Sequence, residues 1–180
     1  MIQKYKHVTG FTIVELLIVI VIIGVLAAIT VVAYNGIQDR TANTTRIAEI
    51  KEWQKLFNMY ATENGQYPFA SGAYCLGTGF PDDNADGVGD CWDINVASNR
   101  RSVNASLNSA LAKYGSLPNF NRTPVPGTST TIRMGPVATW EGGTLRLVYW
   151  LKGSDNNCQG NVLRWNDGAS YACHLILPTL

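Results

Sequence analysis

Residues 11–34 read FTIVELLIVIVIIGVLAAITVVAY, and residues 16–38 hold no charged side chain. An apolar run above about 18 residues is long enough to cross a bilayer as a helix, with its backbone groups satisfied internally. The decapeptide before it, MIQKYKHVTG, carries Lys4 and Lys6. Such charge is retained on the cytoplasmic side. Whole-chain averages conceal this segment: 180 residues hold 14 Lys+Arg against 13 Asp+Glu, and the mean hydropathy is zero. That length suits one domain, or one domain with an appendage. A net charge of +1 is too weak a field to argue for nucleic-acid binding. With 46% apolar and 10% aromatic residues, the chain is not of the disordered class.

Glu15 is the anomaly within the run. An ionisable group in a transmembrane segment is costly and requires a partner. The run supplies no positive charge, so the partner comes from outside it or is a newly made amino terminus. An ordinary secretory signal has an apolar core of about 7–15 residues and an A-x-A cleavage site. This core is longer, and Ala27-Ala28-Ile29 only imitates such a site. A plain membrane anchor explains neither Glu15 nor the Gly10-Phe11 junction.

Gly10-Phe11-Thr12-Ile13-Val14-Glu15-Leu16-Leu17-Ile18-Val19-Ile20, followed by Ile23-Gly24-Val25-Leu26-Ala27-Ala28-Ile29, resembles the N-terminus of type IV prepilins and pseudopilins over roughly the first 30 residues. Gly65-Gln66-Tyr67-Pro68, closing a long helix, is also similar to many pilins. The resemblance implies that a prepilin peptidase cuts after Gly10 and methylates the new amine of Phe11. It implies that Glu15 neutralises a neighbouring subunit's terminal amine during assembly. It also implies a structural subunit rather than an enzyme, held in the membrane before assembly and then in an extracellular helical filament of its own copies. The pilus assembly ATPase and platform machinery would be its further partners. The implied organisation is a leader over 1–10, a transmembrane and filament-core helix over 11–36, the amphipathic second half of that helix over 37–64, and an extracellular globular head over 65–180. Many family members carry Pro where this chain has Val32, and no Pro precedes Pro68 here. Gly24 and Gly36 remain as weak points, each costing a helix up to ~1 kcal/mol relative to Ala.

Beyond Gly36 the pattern becomes amphipathic. Ile47, Ile50, Trp53, Phe57 and Tyr60 recur at helical spacing, widened by Leu56 and Ala61. Arg46, Glu49, Lys51, Glu52 and Lys55 are assigned to other faces. Asn64-Gly65 is a helix stop, Gly being suited to the left-handed C′ position. A helix over 11–64 is about 80 Å long at 1.5 Å per residue, more than residues 66–180 can cover. Its first half is therefore expected in lipid, then against identical helices. A staggered, head-to-tail arrangement does not close and grows as a filament. Pairing Glu15 with a neighbour's α-amino group keeps both charges from being buried alone.

Residues 66–180 read as an α+β head: a small antiparallel sheet packed on the long helix. Val103, Leu107, Ala110, Leu111 and Tyr114 predict a second helix, with Ser102 as cap and Gly115 as stop. Residues 118–131 read as a loop. Val137–Glu141 and residues 144–151, joined by Gly142-Gly143, predict a hairpin. Residues 161–165 and 169–177, around Asn166-Asp167-Gly168, predict another. A sheet of three or four strands is expected to use Leu145, Leu147, Val162 and Leu163 against the helix.

Cys75, Cys91, Cys158 and Cys173 all lie beyond the apolar run, so an oxidising compartment and two disulfides are expected. Three connectivities are open, with the sequence-local pairs Cys75–Cys91 and Cys158–Cys173 preferred. A bridge from Cys158 to Cys173 would be similar to the C-terminal disulfide region of many pilins. Zinc is the alternative, although no C-x-x-C pair is present. In residues 82–93, Asp82, Asn84, Asp86, the Val88 carbonyl, Asp90 and Asp93 occupy positions 1, 3, 5, 7, 9 and 12 of a calcium-loop pattern, with Gly87 at 6. A Ca²⁺ site is one expectation; an acidic, glycine-rich turn is the other. No other cofactor is expected.

Catalytic patterns are absent: there is no G-x-S-x-G, H-E-x-x-H or P-loop, and the two histidines are His7 and His174. Trp92, Trp140, Trp150 and Trp165 could serve core packing or a stacking surface for DNA or glycans. Three functions remain: a pilus-like filament subunit, a pseudopilin or minor pilin of a secretion or competence system, and a membrane-anchored secreted enzyme or binding protein.

Overall fold

A computed structural model describes residues 11–82, 85–92, 100–118, 124–126, 132–154, 156–166 and 168–180, with residues 31–35, 126 and 132 as backbone only. Helix α1 runs Ile13–Asn64 without a break, so neither Val32 nor Gly36 interrupts it. The chain divides into two compact units, Met1–Gln38 and Asp39–Leu180.

In the first unit, Ile13–Thr30 has a mean hydropathy of 3.0 and no buried residue. Its leucines, isoleucines and valines are exposed all round. Such a surface is stable in lipid or against other apolar helices, and not in water.

The second unit begins with the rest of α1 and is built around a five-stranded antiparallel sheet. Its strands are β1 (Ala73–Cys75), β6 (Val137–Glu141), β7 (Thr144–Lys152), β9 (Ser170–Ile176) and β8 (Val162–Asn166), in that spatial order. A second sheet has the order β3 (Arg101–Ser102), β2 (Asp90–Trp92), β5 (Ile132–Arg133), β4 (Val125–Pro126). Two sheets replace the single sheet expected. The strands β1 to β5 span only two or three residues each, too short for alternation to register. Part of the expected 118–131 loop is strand β4.

Period-2 geometry explains the core. Leu145, Leu147, Tyr149 and Leu151 of β7, with Tyr171, Cys173 and Leu175 of β9, join Ile47, Ile50, Trp53 and Phe57 of α1 in one cluster. Val148, Trp150 and Ala172 face the other way, into a cluster with Cys75, Cys91, Val125 and Val137. Both faces of β7 are therefore covered. Val162 and Leu163 are not core residues: they are 52% and 40% exposed. Strand β8 lies at the sheet edge, paired with β9 through an irregular register between Leu163 and Trp165. The α1 stripe covers the sheet's centre instead. Arg46 is a second correction, being 1% exposed rather than on an outer face. It lies one turn before Ile50, at the margin of the buried stripe. Burial lowers its guanidinium pKa, opposed by the charges of Glu49 and Asp39.

Local chemistry ends these elements. Gly65 takes φ +68° and its N–H donates to the Ala61 carbonyl at 2.9 Å, closing α1. Gly142 and Gly143 have φ of +59° and +78°, the positive pair that a two-residue β6–β7 turn needs. Helix α2 spans Ala105–Leu111, and its cap is Asn104 rather than Ser102. The Asn104 Oδ1 accepts from the Leu107 N–H at 2.9 Å. Ser102 instead belongs to β3.

Candidate functional site

The first turn of α1 is organised by two side chains. Thr12 precedes the helix, and the Glu15 Oε2 accepts from the Thr12 N–H at 2.8 Å and from its hydroxyl at 2.6 Å. In return the Glu15 N–H donates to the Thr12 hydroxyl at 3.3 Å. This is a reciprocal capping box, which satisfies otherwise unpaired donors and sets a carboxylate near the positive end of the helix dipole. Thr12 is the residue that sequence reasoning passed over, although T-x-x-E before an apolar run is its sequence signature. Phe11 is 76% exposed beside the cap. Gly10 lies outside the described residues. The one carboxylate of this apolar segment thus binds the N–H of Thr12, the residue that follows Phe11.

The cysteines are joined as Cys75–Cys91, with Cα atoms 5.8 Å apart, and Cys158–Cys173, at 5.6 Å. The first ties the five-stranded sheet to the second sheet, through β1 and β2. The second fastens the segment between β7 and β8 to β9. Bridges closing loops of about 15 residues contribute about 3 kcal/mol in the chain-entropy account.

In the acidic loop, the Asp82 carboxylate accepts from the Asp86 and Gly87 N–H groups at 3.1 and 2.8 Å. Asp86 accepts from the Val88 N–H at 2.8 Å. Asp90 is fully buried, accepting from the Ser102 hydroxyl at 2.6 Å and pairing with Arg100 at 3.2 Å. Asn84 and Asp93 lie outside the described residues. Among those described, no three His, Cys, Asp or Glu side chains converge as a metal-holding group.

His174 lies in β9 and is buried. Desolvation, then the charges of Arg164 and Arg146, lowers its pKa to about 4. It is neutral at pH 7.

Residues 5–31 match the prokaryotic N-terminal methylation motif. The type II secretion system core protein G of Vibrio cholerae is 30% identical over 66 residues, covering 37% of this chain and 45% of that protein. That of Escherichia coli K12 is 36% identical over 59 residues, covering 33% and 41%. That of Pseudomonas aeruginosa is 35% identical over 66 residues, covering 37% and 46%. The chain spans less than half the length of these relatives. No solved structure matches it. The methylation motif and these partial matches, with the apolar helix and its one carboxylate, support a likeness to the type IV pilin and pseudopilin superfamily. Its helix over Ile13–Thr30 is long and apolar enough to cross a membrane.

Proposed function

We propose that the chain is a structural, non-catalytic subunit of a type IV pilus-like filament. A prepilin peptidase removes residues 1–10 and methylates Phe11. The subunit waits in the membrane through Ile13–Thr30, then leaves it for an extracellular filament built by an assembly ATPase and platform machinery. The observation that carries this reading is the capped, exposed, apolar helix start with its single carboxylate, lying inside the methylation motif. Removed from lipid, that surface is best buried against copies of itself. Glu15 would then exchange its capping partners for the amine of an adjacent subunit's Phe11.

A second reading is a pseudopilin of a type II secretion system, favoured by the name of the relatives above. It uses the same processing and the same helix but builds a short assembly in the envelope. Mass spectrometry of the N-terminus tests both against a plain signal anchor. A mature chain beginning at methylated Phe11 is expected, and an intact Met1 or a cut near Ala28 overturns both readings. Shearing cells and blotting for the chain then separates them: long surface filaments mark a pilus subunit, and cell-retained protein marks a pseudopilin.

A further inference from the structure

One face of the five-stranded sheet is covered by α1. The opposite face carries an open cavity of about 460 Å³, within the ~300–1,000 Å³ range of small-molecule sites. Three tryptophans and three arginines dominate its wall: Trp92, Trp150, Trp165, Arg101, Arg133 and Arg164. The Arg133 guanidinium lies 4.1 Å from the ring centroid of Trp165 and 5.9 Å from that of Trp150. Arg101 lies 5.3 Å from that of Trp92, and Trp92 in turn leans on Trp150 at 4.8 Å. A guanidinium held over an indole keeps its flat fork of donors fixed in place, the arrangement that suits planar oxyanions.

The charge in this cavity is one-sided. Three arginines meet one carboxylate, Glu141, which accepts from Arg164 at 3.0 Å and from Arg146 at 2.8 Å. His174, also on the wall, adds no charge at neutral pH. An anion is therefore the complementary ligand. The chain's overall charge of +1 and the compact outline of the cluster offer no track for the closely spaced phosphates of a polymer. A small ligand with one carboxylate fits better. The remaining wall chemistry is that of a hydroxylated ring: indole surface for its C–H face, the Thr139 hydroxyl, and Glu141 as acceptor.

We propose that this cavity binds a carboxylate-bearing sugar of the uronic acid class, its carboxylate on Arg133 and Arg164 and its ring against Trp165. This site lies wholly within Asp39–Leu180 and does not depend on filament assembly.

The test is a titration of the full-length chain, held in a detergent without sugar head groups, with galacturonate at pH 7. Tryptophan fluorescence is the readout, since three of the five tryptophans line the cavity. Galactose, acetate and an oligothymidylate are titrated in parallel. A saturable change with galacturonate alone is expected, weakened about tenfold in Arg164→Gln, as for loss of one charged hydrogen bond. Arg164 and Trp165 lie on the exposed edge strand β8, so Arg164→Gln and Trp165→Phe should keep the wild-type melting temperature. The proposal falls if galacturonate gives no saturable change. It falls equally if galactose, acetate or the oligonucleotide binds as tightly, or if Arg164→Gln leaves the affinity unaltered in a folded protein.

Discussion

We propose two roles for Glu15 that a single substitution can separate. Its carboxylate caps α1 through Thr12, and in the proposed filament it would pair with a neighbour's terminal amine. Gln at this position still completes a capping box but carries no charge. Glu15→Gln is therefore expected to leave membrane insertion intact and to reduce filament yield sharply in a shearing assay. Wild-type yield would limit Glu15 to capping. His174 supports a prediction of another kind. Its folded pKa, about 4, lies below the ordinary 6.5, so between these values the unfolded chain binds more protons. Stability is then fully present above about pH 6.5 and is lost as pH falls toward 4, by up to about 3 kcal/mol. Urea midpoints across that window should show the slope, and His174→Gln should flatten it. Arg46 shows what one position can hide: its charge argued for solvent, while its place one turn before Ile50 set it in the buried margin.

At the scale of elements, legibility followed how local the deciding chemistry was. The β6–β7 hairpin was readable because Gly142-Gly143 encodes its turn, and the end of α1 because Gly65 supplies a left-handed residue. The second sheet was not readable, since its two-residue strands exist only through tertiary pairing: β3 with β2, and β5 with both β2 and β4. In the same way, the pattern around residue 102 announced a helix but misplaced its cap by two residues. Asn104 satisfies the Leu107 N–H, so Asn104→Ala should lower global stability by about 1 kcal/mol in urea unfolding. Among site residues, the methylation motif of residues 5–31 was legible from order alone, whereas the arginine–tryptophan cavity draws on β2, β3, β5 and β8 at once. The acidic loop 82–93 was legible as a pattern, and its own side chains cap its backbone. Calcium at this loop remains our proposal: millimolar Ca²⁺ should raise the melting temperature and chelation reverse it, because a ligand of the native state alone stabilises it. An unchanged melting temperature would leave a self-capped turn.

For the whole molecule, the division at Gln38 and Asp39 matters most. The hydrophobic clusters and both disulfides belong to Asp39–Leu180. A chain beginning at Asp39 should therefore stay soluble without detergent and melt cooperatively under oxidising conditions. Aggregation of that fragment, or a broad non-cooperative melt, would show that the apolar segment is needed for folding. Within the same unit, the Asn43 amide donates to the Lys152 carbonyl at 2.8 Å and accepts from the Lys152 N–H at 2.9 Å. Asn43 thus serves as one more rung at the end of β7, while Trp53, further along the helix, is sealed in the core. Adding or removing one residue between them would swing either the rung or the ring by about 100° around the helix axis. Residues could be gained or lost in the surface loops without this effect, but in this fold the spacing from Asn43 to Trp53 is a fixed count, as strict as the teeth between two meshed gears.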